Sequence, residues 1–520
     1  MFFNLKKKTS SAILLLLIIV YPWAFHVFQG IYIAELGYWL ISYEHFFSTP
    51  EIAQTTFYSW FTTFIGAIVN LGIGKFGVIG FKIANVFIIY SILFIVYQLL
   101  HPFTKSSYVL FFILISEVLI HSYYFINYYS LTTLFFAIST LFLVRGLIHN
   151  RSMYIFLAGV FLSLNIFIRF PNILGLMFLL GIVYYQISKD PLLYKLVVKQ
   201  VAILLFGYMI SIALILLIMK SFGHLDYYLE NIKNLFDLAR SHSSHGTSTI
   251  VIAYFKAQFF AAIESFKLWF ILSIVLILLE LCNKYPQRKY AFTFLLIMIG
   301  TYSLLLATDA GLTNYMLFYN GIIGFVYISL VWIIVSEFKD NINFGLIALL
   351  SMLSIQIIPF GSATVLHQAK FGLYLALPII FIYFINKRDF FIYKIFLIHS
   401  SSLKQVSFIV GFILIIYSIV TVSVYHPPGL EKERWNMRYS VDNPHLKFNY
   451  MSKEKAQTLD ELIENMHQYS NEITYILTYE GISTVSYLSD LEPYLNNTYP
   501  FFMTIDNFKK ELAYQQLHKS

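Results

Sequence analysis

Leu5–His45 reads LKKKTSSAILLLLIIVYPWAFHVFQGIYIAELGYWLISYEH, and the order of its parts decides the class of fold. Three lysines, Lys6–Lys8, precede an apolar run from Ala12 to Phe28. Its length approaches the roughly 20 residues that cross a bilayer as a helix. No small-x-small cleavage site follows, so the run reads as an uncleaved signal anchor and first span. Behind it the chain turns to acids and aromatics, with Glu35, Tyr38, Glu44 and His45. A basic side before the span and an acid-bearing side after it set a pattern that the remaining sequence repeats.

The whole chain of 520 residues is 58% hydrophobic and 12% charged, with a mean hydropathy of +0.71. A soluble domain carries about twice that share of charge, so most of this surface must face lipid or other spans. Apolar stretches near 11–31, 80–99, 107–122, 130–147, 153–169, 171–188, 200–220, 267–283, 290–307, 313–336, 342–359, 370–386 and 406–425 give about 13 spans. The connections holding Lys105, Arg145 with Arg151, Lys189 with Lys195, Arg288, Lys339 and Lys387 are short and basic, which places them in the cytoplasm. An odd number of crossings then puts the C-terminal tail outside. The expected location is a plasma membrane, bacterial inner membrane in particular, with a cytoplasmic N-terminus.

The formal charge is +8, yet from His426 onward nine Lys/Arg face thirteen Asp/Glu. The excess of positive charge therefore sits in short loops, where it orients spans, and nucleic acid is not an expected partner. A single cysteine, Cys282, excludes an intrachain disulfide framework and a cysteine metal site.

The fold class is mainly α: a polytopic membrane helical bundle over residues 1–425 and an extracytoplasmic domain over 426–520. Two long outer loops, 32–80 and 220–266, interrupt the bundle. In the first, Thr55–Leu71 is apolar but broken by Thr, Ser and Asn, and reads as a helix lying in the interface. The second is amphipathic, for one or two helices resting on the membrane. The tail opens with Pro427-Pro428-Gly429. It predicts a helix over Ser452–Tyr469 from a serine cap, a strand over Ile473–Thr478 and a helix over Asn507–Leu517, a small α/β lobe. No sequence repeat of the kind common in transporters is present.

Candidate functional residues gather in the outer connections. Glu35, followed by Gly37 and Tyr38, could take a proton from an acceptor while the glycine lets substrate approach; the structural alternative is a carboxylate wetted at the headgroups. Glu117 lies one helical turn from His121 at an outer helix end, either facing a cavity or forming a structural Glu–His pair. Arg169-Phe170-Pro171-Asn172 puts an arginine on the normally uncharged side, suited to a phosphate or to snorkelling. Arg240, His242 and His245 crowd donors at the end of an amphipathic segment, for phosphate, sugar or solvent; two histidines with no carboxylate are a poor metal set. Asp309 and Asn314 flank one outer turn, and Pro359-Phe360-Gly361-Ser362 with Lys370 another, at a cavity rim or as ordinary polar turns. P-loop, G-x-G-x-x-G, H-E-x-x-H, G-x-S-x-G and D-x-D motifs are absent, so neither nucleotide chemistry nor a divalent metal is expected.

In arrangement the chain resembles the GT-C superfamily of integral-membrane glycosyltransferases, in the branch that holds protein O-mannosyltransferases and lipid A aminoarabinose transferases. The architecture is similar over the whole length. Local matches are the acid-x-Gly-Tyr of Glu35–Tyr38, Asn-Tyr-Tyr-Ser-Leu-Thr at Asn127–Thr132, Arg-Phe-Pro-Asn at Arg169–Asn172 and Ser-Ser-His-Gly at Ser243–Gly246. The resemblance implies transfer of a sugar from a polyprenyl-phosphate donor to a lipid, glycan or protein acceptor at the outer face. Glu35 stands where such families have an aspartate base, with a similar reference pKa and one more methylene. Glu117 is the positional candidate for a second acid. Arg169, Arg240, His242 and His245 would meet the donor phosphate, and Tyr38, Glu44, Asp309 and Asn314 the acceptor or sugar. A lipid-linked glycan translocase, or an O-antigen polymerase or ligase, is the alternative class; the former predicts charges in mid-span and the latter a large late loop.

Overall fold

The computed structural model of the chain describes residues 7–31, 33–120, 125–190, 194–240, 247–284, 315–362, 365–387, 389–392, 396–424, 434–469, 474–478, 482–498 and 505–518. For Glu35, Arg240 and some helical neighbours it describes the backbone only. Among the described residues ten helices are long and apolar enough to cross a membrane, and three shorter apolar helices, Ser106–Leu119, Ser152–Ile168 and Ile342–Ile357, stand beside them. Helix is the expected answer, because lipid offers backbone amides no partner outside their own segment. Every apolar stretch expected from sequence falls on one of these helices except 290–307, which lies outside the described residues.

In chain order the helices are α1 (Lys7–Pro22), α2 (Ile33–His45), α3 (Pro50–Ala53), α4 (Trp60–Ile73), α5 (Val78–Leu100), α6 (Ser106–Leu119), α7 (Tyr128–Ile148) and α8 (Ser152–Ile168). Next come α9 (Leu179–Lys189), α10 (Tyr194–Ser221), α11 (Leu225–Arg240) and α12 (Thr247–Lys284). After residue 314 follow α13 (Tyr315–Asp340), α14 (Ile342–Ile357), α15 (Leu373–Asn386) and α16 (Ser400–Val424). Helices α8 and α10 meet backbone to backbone: a Cβ on Gly159 would lie 2.0 Å from the Leu204 carbonyl oxygen, and one on Gly207 2.2 Å from that of Phe156. Small residues at a helix interface are how membrane helices gain close packing without a hydrophobic drive. Elsewhere aromatics fill the core, as where Phe112 of α6 stacks on Phe381 of α15 at 4.8 Å.

One end of the bundle collects the short basic connections. There Arg145 donates to the Gln98 amide oxygen (2.6 Å), Asn386 to the Phe103 carbonyl (3.0 Å), and Lys387 pairs with Glu337 at 3.6 Å. An antiparallel hairpin of β1 (Asp389–Ile392) and β2 (Phe396–His399) also lies in this stretch, where the sequence suggested only a basic connection.

The opposite end carries the tail, whose helices are α17 (Lys453–Tyr469), α18 (Ser483–Ser489) and α19 (Ile505–His518). Ser452 caps α17 by accepting from the Lys455 amide at 3.4 Å, as its sequence predicts. The expected strand shrinks to β3 (Tyr475–Ile476), paired in parallel with β4 (Glu492–Pro493). Helix α18 was not anticipated. Its STVSYLS sequence has no apolar period, and its seven residues are all buried by packing on α2.

Pro50–Phe76 is also long and apolar enough to cross a membrane. However, the tail touches both of its ends. Near its start, Thr55 donates to the Asn496 carbonyl (3.2 Å) and accepts from the Thr498 amide (3.1 Å). Just beyond its end, Gly77 (φ 62°) lies so close to the His445 carbonyl that a Cβ would stand 2.3 Å from the oxygen. His445 in turn contacts Asp490, six residues before Asn496. One small lobe thus reaches both ends of this segment. The tail also pairs with the end of the first span, through Gly30 N–H to the Tyr450 carbonyl (2.9 Å) and Tyr450 N–H to the Phe28 carbonyl (2.8 Å). First outer segment and tail therefore share one face.

The second outer segment differs from its sequence reading. Helix α11 is amphipathic as expected, but α12 runs unbroken for 38 residues from Thr247, so residues 247–266 are a helical extension of the span and not a loop. Phe255, Phe259 and Phe266 are exposed along it, as a lipid-facing surface requires. At 1.5 Å per residue the helix is about 57 Å long, nearly twice the roughly 30 Å thickness of the hydrocarbon.

His224 joins the two outer segments. Its Nδ1 accepts from Trp60 Nε1 at 3.1 Å, and the rings of Phe46 and Phe57 lie 4.7 and 4.9 Å away. Burial holds its pKa down to about 4, against an opposing pull from Glu51. An unfolded histidine titrates near 6.5, so this joint is fully stabilising above pH 6.5 and weakens as pH falls from there toward 4. The loss is about 3 kcal/mol over that window. Thermal unfolding of wild type and His224→Gln across this range checks it: the wild type should lose melting temperature on acidification more steeply than the variant.

Candidate functional site

Two motifs from distant helices interlock at the tail end of the bundle. Asn127 caps α7, its side chain accepting from the Tyr129 and Ser130 amides at 2.9 and 3.1 Å. Asn172 donates through Nδ2 to Thr132 Oγ1 (2.8 Å) and to the Asn165 side-chain oxygen (2.9 Å). The Asn127–Thr132 and Arg169–Asn172 motifs are thus one hydrogen-bonded unit. Pro171 lacks an amide hydrogen and ends α8, and a 3-10 helix follows over Phe170–Phe178. A second long 3-10 segment, Val365–Gly372, leads into α15. Such runs rarely exceed four residues, and two of them at one end mark a place where the ordinary helical path is displaced.

Arg169 is buried between these elements. It donates to the carbonyls of Ile358 and Phe360 (the latter at 2.8 Å) and lies 5.8 and 5.4 Å from the ring centres of Tyr128 and Tyr129. Ile358 is the C-cap of α14, so the guanidinium sits at the negative end of that helix. Tyr129 reaches Ser362 at 3.1 Å and stacks on Phe371 at 5.1 Å, which draws the Pro359–Ser362 turn and the buried Lys370 into the same neighbourhood. Arg169 does not snorkel: it is buried, and two main-chain carbonyls take two of its five N–H donors.

Helix α2 approaches from the other side. Trp39, fully buried, packs 5.7 Å from the Tyr128 ring, on which Arg169 also lies. Glu35 is one helical turn before Trp39, on the same side of α2 by helical spacing; its side chain lies outside the described residues. Gly37 does not face a substrate. A Cβ there would stand 2.0 Å from the Thr484 amide nitrogen, so the space that the glycine opens is filled by the tail. Two backbones confront each other at this point, and neither can yield as a flexible side chain does. Gly37→Ala is expected to cost about 1–3 kcal/mol as overpacking. The check is limited proteolysis, which should release the tail of this variant faster than that of wild type.

Tyr38 is buried in the core shared by α2 and the tail, with its ring 5.3 Å from Trp39. Glu117 of α6 is buried, and neither carboxyl oxygen has a hydrogen-bond partner among the described residues; no ion pair or hydrogen bond links it to Arg169. Its expected partner His121 lies outside the described residues, as do His242, His245, Asp309 and Asn314 and the side chain of Arg240.

Several groups at this end escaped the sequence reading. Lys82 donates to the Gly30 carbonyl (2.6 Å), Lys455 to that of Ile31 (2.8 Å), and Arg434 lies 3.1 Å from His26 Nδ1. Together they hold the link that enters α2. Lys82 alone had a local signal, a charge inside an apolar run. At the far end of α2, Glu44 faces the tail beside Asp490, which pairs with His445 at 2.8 Å. Desolvation, then the Asp490 charge, raise Glu44 to about 7, a rise that its solvent access tempers.

No family model, curated protein or solved structure matches the chain.

Proposed function

We propose that this membrane protein is a glycosyltransferase that moves a sugar from a polyprenyl-phosphate donor to an acceptor at the face carrying the tail. In this reading Glu35 takes the proton of the acceptor hydroxyl or amine as that atom attacks the anomeric carbon. The bond from anomeric carbon to phosphate oxygen breaks, the polyprenyl phosphate departs with the electron pair, and the anomeric centre inverts. Arg169 serves by fixing Tyr128 and the Pro359–Ser362 turn, and the positive charge of Arg434 and Lys455 favours a departing phosphate nearby.

The observation that carries the reading is the meeting of two segments about 130 residues apart. The helix that bears Glu35 and the Arg169–Asn172 motif both pack on Tyr128. Buried charges also speak against a translocase. Lys82, Glu117, Arg169 and Lys370 lie at helix ends read as outer, and Glu337 at the opposite end, where a translocation path would want them in mid-span. The test is sugar transfer in proteoliposomes from short-chain polyprenyl-phosphate sugars, wild type against Glu35→Gln. Absence of transfer from every donor of this class would refute the proposal.

A further inference from the structure

The charge of the tail is divided along its sequence. Residues 434–455 hold five Lys/Arg against two Asp/Glu, and residues 456–520 three against nine. The basic strip is also the one that meets the membrane-spanning helices. Tyr450 N–H donates to the carbonyl of Phe28 (2.8 Å), one residue past the span Ser10–Val27. The His445 carbonyl abuts Gly77, one residue before α5. Arg434 lies 3.1 Å from His26 Nδ1, and the turn Arg434–Asn436 packs on α16. Residues 445–450 are therefore strung between the ends of two spans. One strand spacing, about 5 Å, separates Tyr450 from the first span, which keeps it within the headgroup layer whichever way the strands run.

Leu446, Asn449 and Met451 are fully buried, whereas Phe448 (50% exposed) and Tyr450 (37%) stand out between them. Phe448 has a left-handed backbone, φ 66°, a region that bulky side chains avoid. Its neighbours hold it there, with the Asn449 amide donating to the Leu446 carbonyl at 2.9 Å. Trp435 (62% exposed) and Tyr439, which exchanges two main-chain bonds with Met451, add further outward rings. Exposed cations lie among them: Arg438 donates to the Trp435 carbonyl (2.8 Å), and Lys447 Nζ stands 5.4 Å from the Phe448 ring centre. Aromatic rings interleaved with basic side chains favour the boundary between headgroups and hydrocarbon. A phenylalanine strained into the open gains nothing from water, whereas burial against acyl chains offsets the strain.

We infer that residues 434–451 form a membrane-surface contact: Trp435, Phe448 and Tyr450 enter the headgroup region beside the spans, and Arg438 and Lys447 meet anionic phospholipid. The acidic remainder of the lobe is repelled by that surface and faces water, so the division of charge sets how the lobe sits. The inference is independent of the function proposed above.

The test uses the whole chain in nanodiscs of phosphatidylcholine with phosphatidylglycerol. In a Cys282→Ser background, spin labels are placed through Trp435→Cys or Phe448→Cys. Phe87→Cys, exposed on α5, is the lipid reference, and Glu461→Cys, exposed on α17, the water reference. Power saturation reads collisions with oxygen, which concentrates in lipid, and with a water-soluble nickel chelate. Labels at 435 and 448 should meet the chelate severalfold less often than the label at 461, while still meeting oxygen. Chelate collision equal to that at 461 would overturn the inference. Shielding from both reagents would overturn it too, in favour of a protein partner or a second copy on these rings. Omitting phosphatidylglycerol, or combining Arg438→Gln with Lys447→Gln, should raise chelate collision at 448; a value that neither change moves would overturn the assignment to anionic lipid.

Discussion

Glu35→Gln is expected to lower sugar transfer by about a hundredfold to ten-thousandfold, the range that a positioned proton acceptor contributes. Glutamine matches glutamate in size and removes only the basic oxygen. Helix α2 is anchored by Leu36, Trp39 and Tyr43 in the core, by Tyr43 O–H to the Ile126 carbonyl (3.0 Å), and by Thr484 at its first turn. The loss should therefore appear in kcat, with the melting temperature and donor KM close to wild type. Glu35→Asp shortens the reach by one methylene and should fall between the two. Transfer by Glu35→Gln at the wild-type rate would remove this residue from the chemistry.

Arg169→Ala is expected to be the most destabilising single change at the site, by about 3–5 kcal/mol. Two buried carbonyls would lose a charged donor, and each such bond carries about 1.5–3 kcal/mol. The cation would also vanish from the faces of Tyr128 and Tyr129, two rings that border α2 and Ser362. Lysine has a single ammonium in place of a planar fork, so Arg169→Lys should recover only part of the stability. Thermal unfolding in detergent measures both. If Arg169→Ala melts with wild type, the carbonyl contacts are incidental. If Arg169→Lys is stable yet inactive, the guanidinium has a direct part in binding phosphate.

Much of the bundle was legible because its signals are local. A lipid-facing helix needs an unbroken apolar run, and basic residues in short loops report sidedness. The Ser452 cap and the helix after it were likewise readable, since a cap and its amide are three residues apart. The site was legible only in part. The Asn127–Thr132 and Arg169–Asn172 motifs were visible as polar interruptions, but their union through Asn172 and Thr132 spans 40 residues. Gly37 was read as room for a substrate and proved to be room for the tail. Helix α18 left no trace, because its burial comes from α2 and not from its own period.

The sequence by itself determined that this is a multi-pass membrane protein, for hydrophobic length acts within a segment and needs no partner. Only the tertiary structure decided which polar groups stand together. The hydroxyl that bridges the first turn of α2 comes from a residue 447 positions away from the amide it accepts from. No local propensity can encode such a bond: it exists only once the packing of α2 on the lobe has excluded water from both partners and left each with the other.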